Sequence, residues 1–443
     1  MRASLKSQVR DFRRSVASCI AGSFVLRLAS SATGVMLGLY LAHIDATVYQ
    51  IPATTVGIIG ASFFITELLG APVFGAQSDR FGFKLFMILG PLFGFIAVQM
   101  TAATTLLWVL FITRLLEGLS TASSTPSTLG YISTITASPE PANGQVLVTG
   151  ASSARLGVLR GRIVSYFEVA SIAGLALGYL AGGVLWDWLK AWGFVAVGGI
   201  YLTSLLIYAR GVDDVREKNP QATAGLGHYL RLFRSHRLLI LAPAWLCFNA
   251  IFGLWLNHVA FQMSGDQTFP DQVLTGGFSG SAVGSILASY AITFVVGIYL
   301  WSFAFGRIRK TTIMVIGTLG IFAVVALVFA INHAGNLRNP ALVPLGLLAL
   351  VAVAVQSGFT PAGLAYLADI SQAFEGDRGA IMGLYSVLLG IGQLLGAWLG
   401  GPFAQRGGMD GIIALSAIFA LFSLATVLLL RREEERERVA VSS

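Results

Sequence analysis

The sequence predicts an all-α integral membrane protein, twelve transmembrane helices in two pseudo-symmetric six-helix bundles. Three observations carry that prediction. Hydrophobic residues fill 55% of the 443 positions and charged residues 11%, with a mean hydropathy of +0.76; a soluble domain carries about 25% charged residues. Apolar runs of about 18 residues or more, enough to cross a bilayer, recur along the whole chain. One pattern is also written twice. Arg160-Gly161 followed by Gly174, Gly178, Gly182 and Gly183 returns as Arg378-Gly379, Gly392, Gly396, Gly400 and Gly401, offset by 218 residues (378 − 160 and 392 − 174). Thr125-Pro126-x-x-Leu129-x-Tyr131 returns as Thr360-Pro361-x-x-Leu364-x-Tyr366, offset by 235 (360 − 125). The two halves therefore share an ancestor and run in the same direction. Membrane proteins built this way usually keep a substrate site where the repeats meet.

The spans fall near 17–42, 52–78, 85–104, 106–136, 163–187, 191–209, 238–263, 279–305, 312–332, 341–369, 379–403 and 411–430. Each is a continuous apolar run whose backbone must be satisfied internally in hydrocarbon. That makes them helices and not the alternating segments of a barrel. The intervening segments set the orientation. Those on the N-terminal side hold 24 of the 29 Lys and Arg, while the opposite side holds only Lys190, Arg338 and Arg406. The positive-inside rule then puts both termini in the cytoplasm. The net charge of +8 reports this topology and not a nucleic-acid partner. The apolar run after the basic segment 1–14 is too long for a signal-peptide core, so no cleavable leader is expected. The expected location is the cell (inner or plasma) membrane.

Residues 1–209 form the expected first bundle, 210–237 a cytoplasmic linker, 238–430 the second bundle and 431–443 a cytoplasmic tail. The linker ends with Tyr229, Leu230, Leu232 and Phe233 interleaved with Arg231, Arg234 and Arg237. This is the pattern of a short amphipathic helix on the inner membrane surface. Loop 137–162 is longer than its counterpart 371–378, which marks an insertion in the first half. The charged run 431–438 reads as a solvated helical extension. Cys19 and Cys247 both fall in apolar spans, against a disulfide framework.

Between spans two and three the chain reads Gly75-Ala76-Gln77-Ser78-Asp79-Arg80-Phe81-Gly82-Phe83-Lys84. Gly75 would let helix backbones approach closely, and Gly82 permits a sharp reversal. Asp79 can accept hydrogen bonds from a helix N-terminus, and Arg80 and Lys84 remain near anionic headgroups. The segment resembles the signature loop of the major facilitator superfamily, at the place that family gives it, with Gln77 and Phe83 departing from the usual residue types. The second half keeps only Gly306-Arg307-Ile308-Arg309-Lys310, without the Asp. The resemblance implies the twelve-span fold and a gating loop. In that reading Asp79 latches onto the start of span eleven or span five and holds the cytoplasmic side closed. The plainer reading is a positive-inside turn with a capping Asp.

Four ionisable residues fall deep in the first half: Arg27 in span one, Glu67 in span two, Arg114 and Glu117 in span four. At 1.5 Å of rise per residue each lies roughly 12–18 Å from a membrane face. Left unpaired in lipid, the four would cost on the order of 10 kcal/mol. They must face the bundle interior, a hydrated cavity or one another. Arg114-Leu115-Leu116-Glu117-Gly118 resembles the span-four motif of proton-linked facilitators, which implies a part for Arg114 in proton transfer. A carboxyl held between burial and a neighbouring Arg can change protonation when the Arg moves. The rival reading is a static buried salt-bridge cluster that fixes helix packing.

The positions aligned with Arg114 and Glu117 in the second half are Ala349 and Ala352, so coupling is expected in the first half. The second half offers neutral polar groups, Asn249, Asn257, Gln356 and Gln393, and the aromatic surfaces of Trp245, Trp255 and Tyr385. Ordinary interhelical bonding or packing is the rival role for these.

Gly174, Gly178 and Gly182 share one helix stripe, as do Gly392, Gly396 and Gly400, a spacing that allows close helix contact. The first set resembles the span-five motif associated with antiporters in the same superfamily, with Tyr179 in place of its Pro. Thr125-Pro126 and Thr360-Pro361 predict kinks in spans four and ten.

His43, His228, His236, His258 and His333 are scattered, and none has a metal-ligand spacing to another His or to Cys. No phosphate-cradling glycine loop is present, and no catalytic constellation. Hence no metal, no cofactor and no enzyme activity are expected. The reading is a monomeric secondary transporter working by alternating access in a lipid bilayer, exporting a small, largely apolar compound in exchange for protons. One alternative is proton-coupled import of a metabolite whose carboxylate binds Arg27 and Arg114. An alternative of another class is a non-transporting membrane sensor or scaffold. The segment Ala209-Arg210-Gly211-Val212-Asp213 lacks the sugar-porter signature expected after span six, which argues against a sugar substrate.

Overall fold

The computed structural model describes residues 2–136, 150–215, 236–372 and 378–442. Its elements are α1 (Arg2–Thr47), α2 (Ala53–Phe81), α3 (Phe83–Ala102), α4 (Leu107–Ile135), α5 (Gly150–Leu189), α6 (Trp192–Gly211), α7 (His236–Ser264), α8 (Gly280–Ser302), α9 (Lys310–Asn332), α10 (Leu342–Gln356), α11 (Phe359–Gln372) and α12 (Arg378–Ser442). Among the described residues there is no strand, only an isolated bridge between Phe305 and Ile308. Residues 216–235, with most of the expected amphipathic helix, and 137–149 of the expected insertion lie outside the described residues.

Ten helical stretches are long and apolar enough to cross a membrane. The two remaining crossings have physical explanations. Helix α4 is long enough at 29 residues, but Arg114, Glu117 and its many Ser and Thr make it too polar to register by composition. Helix α12 is broken at Gly408, whose φ of 57° and ψ of −131° are non-helical, so its 65 residues form two helices. Helices α10 and α11 share one crossing, Leu342–Ile370. Twelve crossings result. Prolines 72, 91, 126, 243 and 402 lie inside helices. Transmembrane helices tolerate this because neighbouring groups satisfy the freed carbonyls.

Packing divides the chain into two units, Met1–Thr33 with Ile65–Ala222, and Gly34–Phe64 with Thr223–Ser443. In the first unit the α5 glycines lie on α1. A Cβ at Gly174 would meet the Phe24 carbonyl oxygen, one at Gly178 the Leu28 backbone, and one at Gly182 would come 2.6 Å from the Ala32 oxygen. In the second unit the glycines of α12 lie on α7 in the same manner. A Cβ at Gly392 would sit 2.6 Å from the Leu246 oxygen, one at Gly396 would strike the Ala250 carbonyl, and one at Gly400 would sit 2.6 Å from the His258 ring. The repeated glycines thus serve the same pairing in each half, fifth span on first and eleventh on seventh.

Segment Gly34–Phe64 belongs to the second unit through equally small contacts. A Cβ at Gly57 would lie 2.7 Å from the Ala397 oxygen, and one at Gly401 would lie 2.7 Å from Thr54 Cα. The expected solvated tail is instead tied down in its first turn. Glu433 pairs with His236 at 2.7 Å, Glu434 accepts from Thr311 at 2.8 Å, and Glu435 approaches Arg309 at 3.8 Å. Because α12 continues past its apolar stretch, these carboxylates emerge beside the starts of α7 and α9.

Candidate functional site

The midplane charges of the first half converge within the first unit. Helix α4 places Arg114 and Glu117 three residues apart on one face, where Nη1 and Oε2 form an ion pair. Both side chains are buried, at 9% and 1% exposure. The other Glu117 oxygen, Oε1, has no hydrogen-bond partner among the described residues. Glu67 on α2 is half-buried and lies within electrostatic reach of both Arg27 and Arg114. Thr66, its neighbour, donates to the Leu115 carbonyl at 2.9 Å and so ties α2 to α4 beside the charges.

One member was not anticipated. Glu168 on α5, though exposed, also lies within electrostatic reach of Arg27. Its signal in the sequence is an acidic residue standing in the apolar run 163–187. The cluster therefore contains three carboxyls, Glu67, Glu117 and Glu168, and two guanidiniums, Arg27 and Arg114. It does not balance as a set of two and two.

Arg27 also borders a small cavity of about 10 Å³ in the same unit, room for about one water. Hydroxyls of Ser23, Ser124, Thr125, Thr128, Ser171 and Tyr208 line it. Arg27 Nη2 donates to Thr125 Oγ1 at 3.3 Å, and Ser23 and Tyr208 share a hydrogen bond of 3.0 Å. The Ser124 and Ser171 hydroxyls are buried without a partner among the described residues. A buried hydroxyl left unpaired costs about 1–3 kcal/mol, so this cavity is suited to an ordered water.

The signature loop is built as a tight turn at the end of α2. Gly82 has φ 105° and ψ 138°, a conformation that L side chains rarely adopt, and its N–H donates to the Ser78 carbonyl at 3.0 Å. Ser78 is fully buried, Asp79 and Lys84 are half-buried, and Arg80 is exposed. Gly75 does not mark the closest helix approach. A Cβ there would sit an ordinary 3.7 Å from Pro126, whereas one at Gly70 would come within 3.0 Å of Ala122. Of these two glycines, Gly70, more than one turn earlier, lies closer to α4.

In the second unit the neutral polar residues mostly satisfy themselves locally. Asn249 donates to the Trp245 carbonyl at 2.9 Å and Asn257 to the Gly253 carbonyl at 2.7 Å, each one turn back on its own helix. Gln356 reaches across to the Tyr290 hydroxyl at 2.7 Å, and Trp255 to Ser416 at 2.9 Å. The backbone of Gln393 packs against Gly253. The Tyr385, Arg160 and Arg378 side chains lie outside the described residues. A larger aromatic surface emerges than Trp245 and Trp255 predict. Phe248 stacks on Phe359 at 4.2 Å, Trp245 on Phe359 at 6.0 Å, and Phe252 meets Phe294 edge-on at 5.3 Å. Phe248/Phe252 and Tyr290/Phe294 are one-turn spacings visible in the sequence. Their convergence depends on which helices are neighbours.

A Major Facilitator Superfamily profile matches residues 19–277 and 268–443. Multidrug resistance protein 1 of Bacillus subtilis (strain 168) is 25% identical over 364 residues, covering 80% of this chain and 81% of that protein. Multidrug resistance protein 2 of the same organism is 22% identical over 361 residues, with the same shares. The crystal structure of the nucleoside transporter NupG (D323A mutant) superposes with a TM-score of 0.73 at 15% identity, covering 94% of this chain and 99% of that one.

Proposed function

Because the chain belongs to the Major Facilitator Superfamily and is a multi-pass membrane transporter, we propose that it exports small, largely apolar compounds in exchange for protons. It does so by alternating access, from the cell membrane, with both termini in the cytoplasm. The observation that carries proton coupling is a half-buried carboxyl, Glu67, within electrostatic reach of both Arg27 and Arg114. Glu117 is already paired with Arg114 and Glu168 is exposed at the edge near Arg27, which leaves Glu67 to gain and lose a proton. Burying an uncompensated charge is costly, so uptake and release of that proton is coupled to the arrangement of α1, α2, α4 and α5. The half-buried aromatic group of Phe252, Tyr290 and Phe294, which packs beside the buried core rings of Trp245, Phe248 and Phe359, supports an apolar cargo. The two Bacillus relatives are named multidrug resistance proteins, which supports a small-molecule cargo and export.

Reconstituted vesicles test this reading. With an apolar fluorescent dye and an imposed pH gradient, dye should move against its own gradient only when protons run the opposite way. Dye movement that follows its own gradient equally with and without the pH gradient would refute proton exchange.

A further inference from the structure

We propose that the second unit carries a divalent metal site made by Asp271, His333 and Asp410, of the class that binds Zn²⁺. The three residues come from different elements. Asp271 lies in the loop between α7 and α8, His333 caps the C-terminus of α9, and Asp410 follows the Gly408 break in α12. His333 and Asp410 are 77 residues apart, too far for any spacing motif. Even so, one ligand atom from each residue lies within 4.8 Å of the other two. His333 Nε2 is already 2.9 Å from Asp410 Oδ2.

This is a held arrangement and not a chance meeting of surface charges. Asn332, fully buried, donates to Asp410 Oδ1 at 2.8 Å, while its own side-chain oxygen accepts from Leu274 N at 3.0 Å. Gln272, 3% exposed, donates to the Gly407 carbonyl at 2.9 Å and accepts from the Met409 N–H at 2.9 Å. Two buried amides therefore fix the loop against both helix ends. The Phe329 ring lies 4.5 Å from the His333 ring and restricts its rotation. Carboxylates fixed by a second layer of hydrogen bonds are characteristic of metal ligands.

The donor set selects the ion. One imidazole nitrogen with two carboxylate oxygens suits Zn²⁺ and related first-row cations, whereas Ca²⁺ and Mg²⁺ take oxygen ligands alone. Bonds of about 2.0–2.2 Å to all three atoms require the exposed Asp271 side chain to turn inward and the His333–Asp410 contact, now 2.9 Å, to open. The metal would bind Nε2, with the ring's N–H on Nδ1. Water would complete the coordination. Bound there, the ion would pin the α7–α8 loop to the end of α9 and to the break in α12.

The test is calorimetric titration of the full-length, chelator-treated protein in detergent with ZnCl₂, and separately with MgCl₂ and CaCl₂. The expected result is one Zn²⁺ per chain, unaffected by excess Mg²⁺ or Ca²⁺, and binding weakened at least tenfold in both Asp271→Asn and His333→Ala. Absence of saturable Zn²⁺ binding would overturn the proposal. So would undiminished binding in Asp271→Asn, an exposed loop change that keeps the test valid should His333→Ala misfold.

Discussion

Glu67→Gln is expected to reduce proton-driven transport to the level of protein-free vesicles while the protein remains folded and still binds its cargo. Glu67 is half-buried and faces two arginines from α1 and α4. The amide keeps the shape of the side chain and removes only its ability to gain and lose a proton. Glu117→Gln should behave differently. It dismantles the buried ion pair with Arg114, a change that costs about 3–5 kcal/mol, so loss of thermal stability should dominate there. If the cluster were only a static brace, Glu67→Gln would lower stability and leave proton-driven transport intact. Flux and unfolding temperature measured on both variants separate the two roles.

Gly396→Leu and Gly178→Leu are expected to prevent a stable fold, and the corresponding Ala variants to lower stability by about 1–3 kcal/mol each. At both positions a new side chain would meet helix backbone, Ala250 on α7 and Leu28 on α1, and at Gly178 the Ser31 hydroxyl as well. Gly199 and Gly346 are controls, because nothing lies within 4 Å of a Cβ built there. Their Ala variants should unfold as the parent does. Thermal unfolding in detergent measures all four, and equal stability of Gly396→Ala and Gly346→Ala would refute the packing role of the ladder.

Much of the architecture is legible because lipid imposes simple rules. A continuous apolar run must be a helix, and basic loops report orientation. Even the polar α4 is recognisable, since Arg114, Glu117 and Thr125-Pro126 sit in a segment of the right length with a repeat in the other half. What sequence withholds is which helices are neighbours. The two glycine ladders are plain in the sequence, but their partners, α1 for one and α7 for the other, are not. Gly75 reads as a residue that lets helices approach closely, yet Gly70 sits nearer to α4. Glu168 lies near the end of its apolar run, where an acidic residue reads as a border charge until α5 is seen beside Arg27. The Asp271, His333 and Asp410 group is dispersed over three elements and has no linear signature at all.

Proton exchange on cargo binding is measured most directly with purified protein in weakly buffered detergent solution containing a pH-indicating dye. Cargo added at saturation should release close to one proton per chain in the wild type and none in Glu67→Gln. Saturable binding by the wild type with no change in dye signal at any starting pH would contradict the account.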